Sequence, residues 1–512
     1  MRQNRNRNNV PAGNTFRLNR RRLLQSSLAG ITGMTTGWPM TALGQGRSPS
    51  AAFALAGLLN GMRFDDLPPA AIKHSKMILA STLASAASGS TVGSVRIIRD
   101  LAKEQGGKRE AIVWFDDARL PVTEAARVNA MLSDSAASDD SDLRNVAHTG
   151  TCLTSVGLAI AERVGATGPD VLSAMISGYE AAGRVGEALA ASSASSDRTS
   201  GAISGSVGRG FHASSIVAFG GVVTAAKLLR LTDEQMANAI GITATSMGGL
   251  SIGTNSWARE YHAGNAALCA VNAALAGGRG YTVNPDMLEA SGGFLAVFSG
   301  GKPDSSSLTR EIGGDYQITR YLAIKLVPGA HALHPAVEAA VNAARESQVR
   351  PDDVAKILVA GPQSGLVAGK PPTDMIEAIH SLSYFIASAV ADKDFSWVHA
   401  EPKMIQRPVI VRLIGLVERD PSPSPVRYEW NWGATVTIVT KSGARYTSTV
   451  DAPRGSVPRG IEWGDIDSKF RALMPQSRLP ASRIEEALKL IHDFDQVKKV
   501  SQLTSLLMRH IS

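Results

Sequence analysis

Between Ala51 and about Gly300, apolar residues recur at the spacing of a helix face, as in Val171-Leu172-Ser173-Ala174-Met175-Ile176-Ser177-Gly178-Tyr179-Glu180. The stretch is rich in Ala, Leu, Gly and Ser, which predicts closely packed helices, with the Ser- and Gly-rich run from Ser192 to Gly210 as an exposed loop. Beyond Tyr316 the pattern changes. Lys356–Ala360, Val409–Ile414 and Thr435–Thr440 are β-branched runs bounded by Pro, Gly and Asp, and they predict strands. Helical segments alternate with them at Pro335–Glu346 and Ser381–Ala391. Helical spacing returns in the tail, at Ile466–Met474 and Ser482–Phe494, and the tail is expected to rejoin the first domain. The fold class predicted is mainly α with an α+β part, without internal repeats.

Length and composition add a second domain rather than a new class. With 512 residues, 44% hydrophobic and 19% charged, the chain can bury one large core or two smaller ones. The formal charge of +8 changes meaning once its source is located: residues 1–44 hold Arg2, Arg5, Arg7, Arg17, Arg20, Arg21 and Arg22 and no acid, leaving about +1 for the rest. No basic excess remains to support nucleic-acid binding. Within that segment, Asn19-Arg20-Arg21-Arg22-Leu23-Leu24-Gln25 resembles a twin-arginine export motif, followed by a weakly apolar run from Leu23 to Leu43 and the small-x-small site Ala42-Leu43-Gly44. Gly, Ser, Thr and Gln interrupt the run, which argues against a stable spanning helix. A signal peptide over residues 1–44 is therefore expected, with a mature protein beginning near Gln45 in the periplasm that meets the membrane only transiently during export.

Several chemistries are excluded by what the chain lacks. Cys152 and Cys269 are the two cysteines, too few to hold an iron–sulfur cluster and far apart in helix-like surroundings. There is no phosphate loop and no glycine-rich dinucleotide turn. Gly249-Leu250-Ser251-Ile252-Gly253 follows a helix-like segment, not the strand that a serine hydrolase requires. His331-x-x-His334 lacks a following Glu and a third ligand, so no metal site is predicted.

Five segments combine Gly, His and cationic side chains in apolar surroundings. They are Asn129–Gly150, with Asp134, Asp139, Asp140, Asp142 and His148; Gly208-Arg209-Gly210-Phe211-His212; Gly253-Thr254 with Arg259-Glu260-Tyr261-His262-Ala263-Gly264; Lys325 to His334; and Glu377-Ala378-Ile379-His380-Ser381-Leu382-Ser383-Tyr384. Singly, each has a bland reading, a loop histidine or a solvated acidic face. In order, together with Gly178-Tyr179-Glu180-Ala181-Ala182-Gly183-Arg184 and Gly293-Phe294-Leu295-Ala296-Val297-Phe298-Ser299-Gly300, they resemble the MmgE/PrpD family of lyases, over essentially the whole chain after the signal. The resemblance implies a large all-helical domain, residues 50–316 completed by 461–512, and a smaller α+β lid, residues 317–460. It also implies a cofactor-free site between the two, a small di- or tricarboxylate as substrate, and a homodimer.

Position by position, the resemblance implies catalytic roles for His212, His148 and Lys325, and substrate-binding roles for Arg259, Ser141, His334, His331 and Tyr384. Arg259 stands where relatives carry lysine, and Ala137 where they carry the first Asp of their acidic loop. Histidine supplies a base near neutral pH and the cations hold carboxylates, which suits proton transfer next to a carboxylate. Dehydration, decarboxylation and epimerisation all depend on such a transfer, and the sequence does not choose among them. The glycines before His212 present it to a cleft, so it is expected as the principal acid/base, and Arg259 is expected to hold substrate rather than support the fold. The rival reading is a non-catalytic periplasmic carboxylate-binding protein on the same fold.

Overall fold

A computed structural model describes residues 49–144, 146–190, 206–207, 210–299, 303–422 and 432–509. The export motif and cleavage site, most of the Ser- and Gly-rich stretch from 192 onward, and Gly208, Arg209 and Gly300 lie outside them. Residues Pro49–Ser512 form one unit, and two large apolar cores organise it.

The larger core is built from helices. Pro69–Gly89, Val122–Ser135, Thr149–Val164, Gly168–Ala190, Ser214–Leu228 and Ala258–Gly277 pack side by side. Their small residues allow close approach: a Cβ on Gly178 would lie 2.5 Å from the carbonyl oxygen of Gly220, so the helices Gly168–Ala190 and Ser214–Leu228 touch backbone to backbone. The tail joins this body, with Ile466, Phe470 and Leu473 of the helix Trp463–Leu473 buried in the same core as Met77 and Leu83.

The smaller core lies between helices and a four-stranded sheet. In spatial order the strands are Arg445–Val450, Ala434–Thr440, Val354–Ala360 and Val417–Arg419, the first two pairings antiparallel and the last parallel. Helices His334–Ser347 and Leu382–Asp392 cover it. One sequence-based strand is corrected. Val409–Ile414 lies in a helix, Pro408–Ile414, because Pro408 opens the first turn and the buried Ile410, Leu413 and Ile414 fall at helical spacing, which overrides their β-branched composition.

A short pairing joins the two parts. Strand Asp140–Asp142 runs antiparallel to Leu322–Ile324, with Asp140 opposite Ile324. Beyond it, Lys325 N–H donates to the Asp139 carbonyl at 3.0 Å and Gly329 N–H to that of Ala137 at 3.0 Å, while Ala330 N–H donates to Ile379 of the lid at 2.8 Å. The segment 325–330 is thus tied on one side to the helical body and on the other to the lid. Among the described residues, no helix is long and apolar enough to cross a membrane.

Candidate active site

The floor of the site is the acidic segment that follows the helix Val122–Ser135. Ala137 adopts a left-handed φ of 49°, which turns the chain inward and buries Asp139 and Asp140 completely. The backbone then folds back, Asp142 N–H donating to the Ala147 carbonyl at 2.9 Å, and this return brings His148 over the two carboxylates. The acids are not a solvated face. Buried carboxylates need partners, and each has them.

Asp139 accepts from Lys325 Nζ at 2.7 Å and from Thr151 Oγ1 at 3.0 Å, and its other contact is His148 Nδ1 at 3.2 Å. The same Nδ1 donates to the Asp140 carbonyl at 2.7 Å. Since a backbone carbonyl only accepts, Nδ1 of His148 carries a proton, and in the neutral ring Nε2 carries a lone pair without a partner among the described residues. Burial raises the Asp139 carboxyl, but the charges of His148 and Lys325 and their hydrogen bonds outweigh it and hold the group well below the usual carboxylate range. For His148, burial disfavours the cation, yet the Asp139 charge wins and the imidazole titrates above its ordinary value. Asp140 accepts from Gly150 N–H at 3.0 Å at the start of the helix Thr149–Val164, where a Cβ on Gly150 would sit 2.5 Å from its Oδ1. Burial and the neighbouring Asp139 charge push its carboxyl up to about 7.

His212 has the opposite tautomer. The N–H of Ser214 donates to His212 Nδ1 at 3.2 Å and Ser214 Oγ lies 2.8 Å from the same atom, so the ring proton is on Nε2. Gly210, with a φ of 84°, turns the chain into Phe211–His212, whose backbone is fixed by His212 N–H donating to Gly249 at 3.0 Å. Burial, then His262, His148 and Arg259, push the imidazole down to about 3, so it is neutral over the physiological range. The hydrogen bonds thus set the two rings in opposite orientations toward the cleft. His148 presents the lone pair of a base and His212 presents an N–H. Ala137 stands where the family resemblance places an acid, and it is Asp139, two residues on, that orients His148.

A cleft enclosing about 470 Å³, open solvent included, is lined by His148, His212, Arg259, Lys325, His331 and His380, among others. His331 is buried, with neither ring nitrogen hydrogen-bonded, and burial, His334, Lys325 and His148 hold it well below its ordinary value. His380, singled out in its segment but given no role, donates through Nδ1 to the Ile376 carbonyl at 2.8 Å, which leaves Nε2 as an acceptor. Arg259 is more committed than expected. Its Nη2 donates to the Asp134 and Ser135 carbonyls at 2.7 and 3.0 Å, and its Nε pairs with the Asp134 carboxylate at 3.2 Å. It caps the helix Val122–Ser135, a structural role that the sequence reading had set aside, and it meets the cleft as well.

Three expected residues do not line the cleft. Ser141 is buried in the strand Asp140–Asp142, its hydroxyl without a hydrogen bond, because alternation in the strand turns it away from the side of its neighbours. Tyr384 lies in the lid core and its hydroxyl donates to the His399 carbonyl at 2.8 Å. His334 packs behind His331, ring centroids 4.7 Å apart, with Nε2 unpartnered. Asp134, Asp139 and His148 bring ligand atoms within 4.8 Å of one another, but Arg259 and Lys325 already neutralise the two carboxylates, so the group is not cation-deficient.

A helical body, an α+β lid and a cationic, histidine-lined cleft between them define a class, and the chain belongs to the MmgE/PrpD family: the MmgE/PrpD N-terminal domain matches residues 54–306 and the C-terminal domain residues 328–495. Among curated proteins it is similar to the cis-aconitate decarboxylase of Homo sapiens, 24% identical over 473 residues that cover 90% of this chain and 95% of that protein. It is likewise similar to the cis-aconitate decarboxylase of Mus musculus, 24% identical with 90% and 93% covered, and to that of Aspergillus terreus, 24% identical with 86% and 93% covered.

Proposed function

We propose that the protein is a lyase acting on a small di- or tricarboxylate through histidine-mediated proton transfer at a carbon next to a carboxylate. The observation that carries the proposal is the Lys325–Asp139–His148 chain of contacts, which leaves an unpartnered Nε2 at a cleft also lined by His212 with its Nε2–H. His148 takes the proton, and His212, neutral, donates a hydrogen bond or a proton to the oxygen on which charge grows. Lys325, the Nη1 of Arg259, which has no hydrogen-bond partner among the described residues, and the single N–H of neutral His331 supply donors for carboxylate oxygens. The family and the decarboxylase relatives support cleavage at such a carbon. No step is assigned to a metal or cofactor.

Dehydration, decarboxylation and epimerisation use proton transfer at that carbon differently: in dehydration the carbanion expels the β-hydroxyl, which is protonated as it leaves; in epimerisation the proton returns on the other face; in decarboxylation carbon dioxide leaves its electron pair on the carbon and a histidine delivers the proton to it. A panel of citrate-like and malate-like acids followed by NMR separates them: loss of water, loss of carbon dioxide, or inversion with retention of mass. Binding of such acids without any of the three outcomes would return the rival, a carboxylate-binding protein. The reading further places the protein in the periplasm, supported by the twin-arginine motif at Arg20–Arg22. It also assigns a homodimer, supported by the exposed apolar side chains Leu250, Ile252, Trp257 and Tyr261 in one stretch of chain.

A further inference from the structure

Lys469 is a buried lysine that the proposed chemistry does not use. It comes from the tail helix Trp463–Leu473 and is 2% exposed. Its ammonium donates to Ser81 Oγ at 2.7 Å and to the carbonyl of Ser138, and lies 5.8 Å from the centre of the Trp397 ring. These acceptors are neutral. Among the described residues no carboxylate forms an ion pair with it, although a buried ammonium without an anion is costly. The groups whose charges reach it are Asp139, Lys325 and Asp140. Ser138 is the residue before Asp139, and its own hydroxyl lies 2.6 Å from that of Ser85, which also donates to the Ser133 carbonyl at 2.6 Å. The peptide that carries the base-orienting carboxylate is thus gripped from behind by the tail.

We propose that Lys469 is a positioning residue for the site: it clamps the Ser138–Asp139 peptide and supplies, beside Lys325, a second positive charge beneath the adjacent Asp139 and Asp140 carboxylates, thereby setting the basicity of His148. Two neighbouring buried carboxylates cannot both stay ionised beside a single cation without cost. The second lysine balances them without occupying the cleft. The inference rests on His148 as the base, and its sign is fixed. Removing a positive charge favours the protonated form of every neighbouring group, so His148 must titrate at higher pH when Lys469 is neutralised.

The test reads His148 directly and needs no turnover. In protein labelled with ¹³C-histidine, the His148 resonance is assigned by its loss in His148→Gln and titrated in wild type, Lys469→Gln and Lys469→Arg. Lys469→Gln keeps a donor for the Ser138 carbonyl; it should raise the His148 pKa by on the order of one unit, while Lys469→Arg leaves it unchanged. An unmoved His148 in folded Lys469→Gln overturns the proposal and leaves only a structural clamp. Should Lys469→Gln not fold, lysine Nζ NMR of the wild type decides: Lys469 must be ammonium at pH ~6, below its burial-lowered value of about 7, and a neutral amine there overturns the proposal. Absence of activity on every acid tested would sink the functional proposal and leave this titration readable.

Discussion

At the scale of single residues, the account turns on a division of labour between two histidines that the sequence presents alike. Asp139 raises His148, so the free base is available only above the ordinary imidazole range, whereas His212 is neutral down to about 3. The rate on the true substrate should therefore rise with pH through one ionisation above ~6.5, read from kcat/KM profiles. Asp139→Asn should move that limb to lower pH and slow the reaction by roughly a hundredfold or more, as the base loses its orienting charge. The pair also links stability to pH. The Asp139 contribution is present above the unfolded carboxyl value and is lost as acid reaches its depressed folded value; that of His148 is full below ~6.5 and is lost as pH rises through its raised value. Five of the eight expected site residues meet at the cleft, legible because His, Lys and Arg stand out in apolar, glycine-containing sequence. Asp139 was visible, but as one of several acids; nothing local says that a turn at Ala137 will bury it against Lys325, 186 positions away.

At the scale of elements, Arg259 and Tyr384 make contrasting cases. Arg259→Ala would leave the Asp134 carboxylate buried without its partner and strip the end of the helix Val122–Ser135 of its donor, at a cost of ~3–5 kcal/mol. Its melting temperature should fall clearly along with its affinity for dicarboxylates; an unchanged melting temperature would show that the cap is dispensable. Tyr384→Phe removes one buried hydrogen bond within the lid, so it should cost about 1 kcal/mol in denaturant unfolding and leave the affinity for dicarboxylates within a few-fold of wild type. A selective loss of binding there would place Tyr384 at the substrate after all. Helices with continuous apolar faces, such as Ser214–Leu228, and strands such as Ala434–Thr440 were legible in the pattern. Val409–Ile414 was not, since its β-branched content and its helical burial spacing point opposite ways and packing decides. Lys469 offered a signal that went unread. In Ile466-x-x-Lys469-Phe470-x-x-Leu473 it occupies the apolar face, where a lysine needs a reason.

At the scale of the whole molecule, the tail, the helical body and the segment that leads into the lid all reach the same few atoms around Asp139, so the site exists only when distant parts of the chain have assembled. Ile252, 88% exposed among other apolar side chains, is the place to perturb the proposed homodimer: Ile252→Arg should shift the mass in solution toward a monomer in light scattering, and an unaltered dimer would put the interface elsewhere. The proposed export is tested apart from the chemistry: replacing Arg20, Arg21 and Arg22 by Lys should leave the protein in the cytoplasm, read by cell fractionation, and unaffected export would overturn that reading. The central claim, that His148 is the base which moves a proton next to a substrate carboxylate, is tested most directly by incubating a processed acid with wild type and with His148→Gln in D₂O and following deuterium entry at that carbon by NMR. The account predicts exchange by the wild type and a loss of roughly a hundredfold or more in His148→Gln; exchange at the wild-type rate in His148→Gln would contradict it.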